Sequence, residues 1–147
     1  MDGIDVAMIS TDGEAMVEAM AFETVDYDAA QRALLSEAMV LSAGLVSRDP
    51  RSGKLAAIEA DITRWHADAI DWFCGKHGVA KTADMVVGFH GQTVLHRPDI
   101  GLTVQLGNGQ SLADATGLKV VGDMRANDML HGGQGAPLAP AYHAAMA

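Results

Sequence analysis

"MVVGFHGQTVLHRP", Met85 to Pro98, is the stretch on which the fold turns. A short apolar run containing two valines and closed by Gly88 and Phe89 reads as a buried strand. Polar residues follow at once, with His90, Gln92, Thr93 and His96 inside seven positions. "LKVVGDMR", Leu118 to Arg125, repeats the arrangement, an apolar strand followed by Asp123 and Arg125. Strands that end in polar residues and alternate with helical patterns define an α/β class with a mixed sheet. In open α/β sheets, ligands bind beyond the carboxyl ends of the strands. His90, Gln92, Thr93, Asp123 and Arg125 are therefore candidates to line one crevice.

The flanking segments fit the same class. "IDVAMIS", Ile4 to Ser10, alternates as a strand, and Thr11 to Gly13 supplies a turn, because Asp-Gly provides the positive φ that hairpins need. "EAMVEAMAFETV" carries helix-favouring Ala, Met and Glu, yet the turn before it and the closing "FETV" predict a returning strand. Asp28 and Gln31 form a capping-box pattern ahead of a helix from about Ala29 to Leu41, with Ala30, Leu34, Ala38 and Leu41 on its apolar face. "SRDPRSGK" reads as a loop. A longer helix follows with Leu55, Ile58, Ile62, Trp65, Ala69 and Trp72 on one face, ended by Gly75 and Gly78. "LTVQLG" is another strand, "QSLADATG" a short helix stopped by Gly117, "GGQGAPLAP" a glycine loop, and "AYHAAMA" the start of a helix. The fold expected is thus a mixed sheet with an N-terminal antiparallel hairpin and flanking helices. The first strand starts close to Met1 and the last helix is apolar and uncapped at Ala147, so the segment reads as cut at both ends.

Composition narrows the function. The 147 residues suffice for one domain, 49% are hydrophobic, and the net charge is -9. Acidity argues against nucleic acid and anionic membranes as partners, both of which select basic patches. It leaves a phosphorylated ligand open, since backbone N–H groups hold phosphate without net positive charge. The single Cys74 excludes an internal disulfide and falls on the apolar side of a helix. No signal-peptide pattern or long apolar run is present, so a cytoplasmic location is expected.

Each polar cluster has more than one reading. His90 and His96 with Asp123 or His131 could ligate a metal, but the spacing lacks the tightness of a zinc site. His90 could simply bond a neighbouring carbonyl. His90, Gln92 and Thr93 fit best as short donors and acceptors for a hydroxyl-rich ligand. On an extended segment Asp123 and Arg125 point to the same side, where they either pair with each other or hold a ligand. Gly132, Gly133, Gln134 and Gly135 offer consecutive backbone N–H groups suited to an anion. "DGID" at a hairpin could be only a turn. His66, His77 and His143 read as surface or packing residues.

Together, "MDGID", "FHGQTVLHRP" and "TVQLGNGQSLADATGLKVVGDMRANDMLHGGQGAPLAPAYH" resemble the anhydro-N-acetylmuramic acid kinases of the sugar-kinase/actin/heat-shock ATPase superfamily. The resemblance implies a partial ribonuclease-H-like (actin-like ATPase) domain, residues 1–147 being the incomplete first domain of a two-domain sugar kinase. It implies ATP and Mg²⁺ as cofactors and an amino sugar as substrate. The 1,6-anhydro ring is opened by water while O6 takes the γ-phosphoryl group, giving N-acetylmuramic acid 6-phosphate in cell-wall recycling. It places His90, Gln92, Thr93, Asp123 and Arg125 on the sugar side, with Arg125 suited to the lactyl carboxylate and Gly91 letting the backbone approach the ligand. Asp2, Gly3, Gly132, Gly133, Gln134 and Gly135 fall on the phosphate side. A homodimer is expected of the full-length protein. The family's phosphate hairpin, Ser-Gly-Thr-Ser-x-Asp-Gly, survives only as "MDG", and its catalytic Asp motif, Asp-x-Gly-Pro-Gly-Asn, has no counterpart here, so no catalytic residue is assigned and the 147 residues alone are expected to be inactive. A non-catalytic amino-sugar-binding module and a metal-dependent hydrolase on His90, His96 and Asp123 are the competing readings.

Overall fold

The structure, a computed structural model, describes residues 2–49, 51 and 53–146. The chain opens with an antiparallel pair, β1 (Gly3–Thr11) and β2 (Val17–Asp26), in register from Gly3 opposite Asp26 to Thr11 opposite Val17 with one irregularity at Met8/Ile9. The returning strand predicted against helix propensity is β2. Asp12 builds the connection: its Oδ1 accepts the backbone N–H groups of Glu14, Ala15 and Met16 at 2.9–3.0 Å, while Gly13 takes a φ of +81°. Those three donors hold the Asp12 carboxyl below the usual range.

Helix α1 (Ala29–Ser42) starts at the expected capping box, with Asp28 and Gln31 exchanging side-chain-to-backbone bonds at 2.7 and 2.8 Å. Its buried face is Leu35, Ala38 and Ser42 rather than the face drawn through Ala30 and Leu41; both of those are exposed. Helix α2 (Gly53–His77) buries Leu55, Ile58, Ile62, Trp65 and Ala69 as expected. At its end Phe73 and Cys74 turn inward while Trp72 is 46% exposed under the Lys76 ammonium. Gly75 lies within the helix; the stop is Gly78, with φ +63°.

The second half holds β3 (Val86–Phe89), β4 (Gln92–Arg97), a single 3-10 turn (Pro98–Ile100), β5 (Leu102–Leu106), α3 (Gly109–Thr116), β6 (Lys119–Gly122), α4 (Met124–Leu130) and α5 (Pro140–Met146). β4 and β5 form an antiparallel ladder, and β3 and β6 a parallel one, Val86 opposite Lys119 to Phe89 opposite Gly122. The fold is mixed α/β with an antiparallel N-terminal hairpin and flanking helices, its strands arranged in three two-stranded ladders among the described residues. Gln92 to Arg97 form a strand to which the sequence reading assigned no element; Val94 buries against the core and Thr93 bonds across to β5. Two expectations are corrected. "MVVGF" is not fully buried: Val86 is 57% exposed because the β3–β6 pair carries no third strand. Arg125 lies on helix α4, so Asp123 and Arg125 do not share an extended segment.

The main core packs α1 and α2 against β1 and the β4–β5 ladder, through Ile4, Leu35, Ile58, Ile62, Val94, Val104 and Leu106 among others. A smaller cluster of Ala67, Phe89 and Leu112 fastens α2 and α3 to β3. Among the described residues no helix is long and apolar enough to cross a membrane.

Ile62 is completely buried at the centre of the main core. Ile62→Ala is expected to lower the unfolding free energy by about 2–5 kcal/mol through lost transfer energy and a residual cavity; urea titration followed by circular dichroism measures it, and a loss below 1 kcal/mol would place the core elsewhere.

Candidate functional site

Parallel pairing of β3 with β6 brings two separate sequence motifs side by side. Phe89 and Gly122 are register partners, so His90 and Asp123 emerge from neighbouring carboxyl ends. They line one crevice of about 480 Å³ with Arg48, Arg51, Glu59 and Gln105. Asp123 stands at the N-terminus of α4 with φ +60°, a left-handed conformation uncommon for a residue with a side chain, and it caps no helix N–H. Its carboxylate is held by the Arg48 guanidinium instead.

Arg125 is spent on the protein. Its Nε donates to His90 Nε2 at 2.9 Å and its Nη1 to the Gly135 carbonyl at 3.2 Å. Since Nε2 accepts, the proton of His90 is on Nδ1, which donates to the Gly91 carbonyl at 2.9 Å. One guanidinium thereby ties the end of β3 to the glycine loop. Gln92 Nε2 donates to the Thr93 carbonyl at 3.1 Å, and Thr93 Oγ1 accepts from Gln105 Nε2 at 3.3 Å across the β4–β5 ladder. His90 and Asp123 are thus brought together on the crevice, while Gln92 and Thr93 bond within the adjoining ladder and are not among its lining residues.

Gly91 is required by a close approach, but to protein: at its φ of +66°, a Cβ would lie 2.5 Å from the Leu106 carbonyl oxygen. Gly3 has the same role in the hairpin, where a Cβ would meet the Val25 carbonyl oxygen at 2.4 Å, and the Asp2 carbonyl accepts the Tyr27 N–H at 2.9 Å. In the glycine loop, the Gly133 N–H donates to the Asp128 carbonyl at 2.9 Å and the Gly135 N–H to Asp128 Oδ2 at 2.8 Å. Gly132 N–H bonds the Met129 carbonyl at 3.1 Å. These donors face α4, so the loop as it stands does not present the row of open N–H groups that an anion cradle needs.

Sequence reasoning missed Arg48, Arg51, Glu59 and Gln105. Arg51 donates through Nε to Glu59 Oε1 at 3.3 Å and through Nη2 to the Gln105 carbonyl at 3.1 Å. The available signal was two arginines in one loop of a chain with net charge -9. His96, the other candidate ligand, bonds Thr103 Oγ1 through Nδ1 at 3.2 Å. Among the described residues no three His, Cys, Asp or Glu side chains gather to hold a metal. Below the crevice, His66 stacks edge-on against Phe89 at 5.0 Å and donates from Nδ1 to the Ile62 carbonyl at 2.7 Å. Burial holds its pKa below the ordinary 6.5, with nearby His90 adding to the effect and the Ile62 carbonyl opposing it.

A mixed α/β fold with an antiparallel N-terminal hairpin, flanking helices and a crevice at the carboxyl ends of a parallel strand pair is consistent with a partial domain of the actin-like sugar-kinase class. Comparison with known proteins makes this specific: the sequence profile described as anhydro-N-acetylmuramic acid kinase matches residues 1–147, and the chain belongs to that family. It is 56% identical over 147 residues to the anhydro-N-acetylmuramic acid kinase of Rhizobium etli, covering 100% of this chain and 40% of that protein. The enzymes of the same name from Brucella canis (51% identity, 100% of this chain, 39% of theirs) and Agrobacterium fabrum (49% identity, 99% of this chain, 39% of theirs) behave alike. The chain therefore spans about 40% of the length of the curated relatives it matches.

Two outcomes test this geometry. Gly91→Ala should cost about 1–3 kcal/mol of stability, the range for a strained backbone, because both φ and the Leu106 carbonyl oppose a side chain; chemical denaturation that shows no loss would contradict the close approach. For His66 the folded pKa is the depressed one, so the unfolded chain binds more protons as pH falls. Stability is full above pH 6.5 and declines as pH drops through the folded value. His66→Gln should flatten that acid-side decline of the thermal midpoint.

Proposed function

We propose that residues 1–147 form the first, substrate-side domain of a two-domain cytoplasmic kinase that opens 1,6-anhydro-N-acetylmuramic acid with water and phosphorylates O6. The product is N-acetylmuramic acid 6-phosphate, in peptidoglycan recycling. The observation that carries the reading is the family match along the whole chain, combined with the placing of His90 and Asp123, from distant motifs, on one crevice. His90 and Asp123 would orient sugar hydroxyls directly. Gln92 and Thr93 would support the neighbouring strand edge, and Arg125 would fix His90 against the glycine loop. Asp2, Gly3 and Gly132 to Gly135 remain the candidates for the phosphate side. In such a site positioning and charge stabilisation supply most of the rate.

ATP and Mg²⁺ are the cofactors this reading requires; bound, they would supply the phosphoryl group and neutralise its charge. The residues described here do not by themselves fit them: the loop N–H groups are spent on α4, and no acidic set gathers for a cation. Nucleotide binding and base catalysis would rest on the part of the relatives with no counterpart in these residues. The full-length protein is proposed to be a homodimer.

The purified 147-residue chain should bind the anhydro-sugar calorimetrically yet yield no ADP or sugar phosphate above background with ATP and Mg²⁺. Absence of sugar binding would overturn the substrate-side assignment, and ATP-dependent product over many turnovers would overturn the placing of the catalytic base outside this chain.

A further inference from the structure

The bond between Arg125 and His90 joins a cation to a group that can become one. A guanidinium is always charged, donates only, and accepts nothing. Its Nε–H reaches His90 Nε2 at 2.9 Å, while His90 Nδ1–H is given to the Gly91 carbonyl at 2.9 Å. The imidazole satisfies both neighbours only as the neutral Nδ1–H tautomer. A second proton, taken from solvent onto Nε2, removes the acceptor and sets two cationic N–H donors face to face.

The same guanidinium holds the glycine loop. Arg125 Nη1 donates to the Gly135 carbonyl at 3.2 Å, and Gly135 is buried with its own N–H on Asp128 Oδ2 at 2.8 Å. The fit is close: a Cβ at Gly135 would stand 3.1 Å from the Arg125 carbonyl oxygen and from the Met129 sulfur. Both Arg125 bonds come from one rigid planar fork, so a guanidinium displaced from His90 also shifts on Gly135.

The surrounding charges leave this pair to itself. Beneath His90, on α2, His66 is buried, and desolvation disfavours its charged form. Asp123, beside His90 at the start of α4, is held by Arg48. Glu59 and Asp49, on the same crevice, lie against Arg51 at 3.3 and 3.6 Å. Among the described residues lining the crevice, each carboxylate is thus matched by an arginine. On the loop side, Asp128 is bonded to Gly135 and His131 to the Asn127 carbonyl.

We propose that His90 is a pH-sensitive catch for the glycine loop: neutral, it accepts Arg125 and fastens the loop to the end of β3; protonated, it expels Arg125 and the loop is released. The fastened state binds one proton fewer than the released state, so release is favoured as pH falls. The catch does not depend on which ligand the crevice takes.

The test is amide hydrogen exchange of Gly135 in the 147-residue chain, followed by NMR from about pH 8 to about pH 5, the interval in which histidine changes charge. Rates are corrected for the pH dependence of intrinsic exchange, and the His90 ring-nitrogen shifts are recorded on the same sample. Protection of Gly135 should fall by about tenfold or more, as expected for a lost hydrogen bond to a charged group, over the interval in which Nε2 gains its proton. In His90→Gln, whose amide does not titrate, protection should stay level. In Arg125→Met it should be low throughout. Circular dichroism checks that each variant folds; the coincidence of lost protection with ring protonation needs neither variant. Level protection in the unaltered chain, or a fall that does not follow the ring, would overturn the catch. So would a fall that persists in His90→Gln, which would assign the release to His131 or Asp128 instead.

Discussion

Glu59, on the second turn of α2, joins the parts on which the crevice depends. Its Oε1 accepts the Gly107 N–H at 3.2 Å and Arg51 Nε at 3.3 Å, linking the end of β5 to the loop ahead of α2. One turn later Thr63 accepts the Asn108 N–H at 3.0 Å and returns its own proton to the Glu59 carbonyl. Backbone donors at a strand end have no ladder partner, and unpaired burial would be costly. The helix therefore supplies what the sheet cannot. The same helix carries the apolar stripe that organises the core, so burial of Ile58 and Ile62 sets the position of Glu59 and Thr63. Core packing and crevice geometry are two faces of one element.

Much of this was legible in the sequence wherever the signal was local. The Asp28–Gln31 box, the Gly117 stop and the stripe from Leu55 to Ala69 depend on neighbours a few residues away, and they appear as read. The β2 strand was legible too, because a turn and β-branched residues outweighed the helix propensity of Ala, Met and Glu. The candidate residues His90 and Asp123 were found because strand ends are visible in the pattern. Long-range choices were not legible. Nothing local says that Asp123 pairs with Arg48, 75 positions away, instead of Arg125 two positions on. Nor does it say that Arg125 turns to His90, since α4 begins at Met124 on an unusual Asp123 conformation. β4 went unassigned because its polar residues break an apolar strand pattern, whereas Thr93 and His96 bond across the ladder.

Glycine in this chain serves close backbone approach within the protein. At Gly91 and Gly133 the crowding atoms are the Leu106 carbonyl and the Asp128 carboxylate. A glycine-rich motif near a binding crevice invites a ligand-contact explanation; here the steric requirement comes first from packing. That distinction also accounts for Asp128, which no motif reading selected: it is the acceptor around which the loop after α4 is folded.

The parallel pairing of β3 with β6 has a further consequence, for the order of assembly. Between the two strands lie β4, β5 and α3, an insertion that must be compact before Phe89 can meet Gly122. The β4–β5 hairpin closes a short loop and can form early, whereas the parallel ladder closes a long one at greater entropic cost. His90 and Asp123 come from opposite sides of that late contact. The crevice is then among the last features the chain acquires, and any ligand bridging the two strand ends would act on the folding equilibrium at its final step, favouring the paired state over a partly folded one in which the core has formed and the crevice has not.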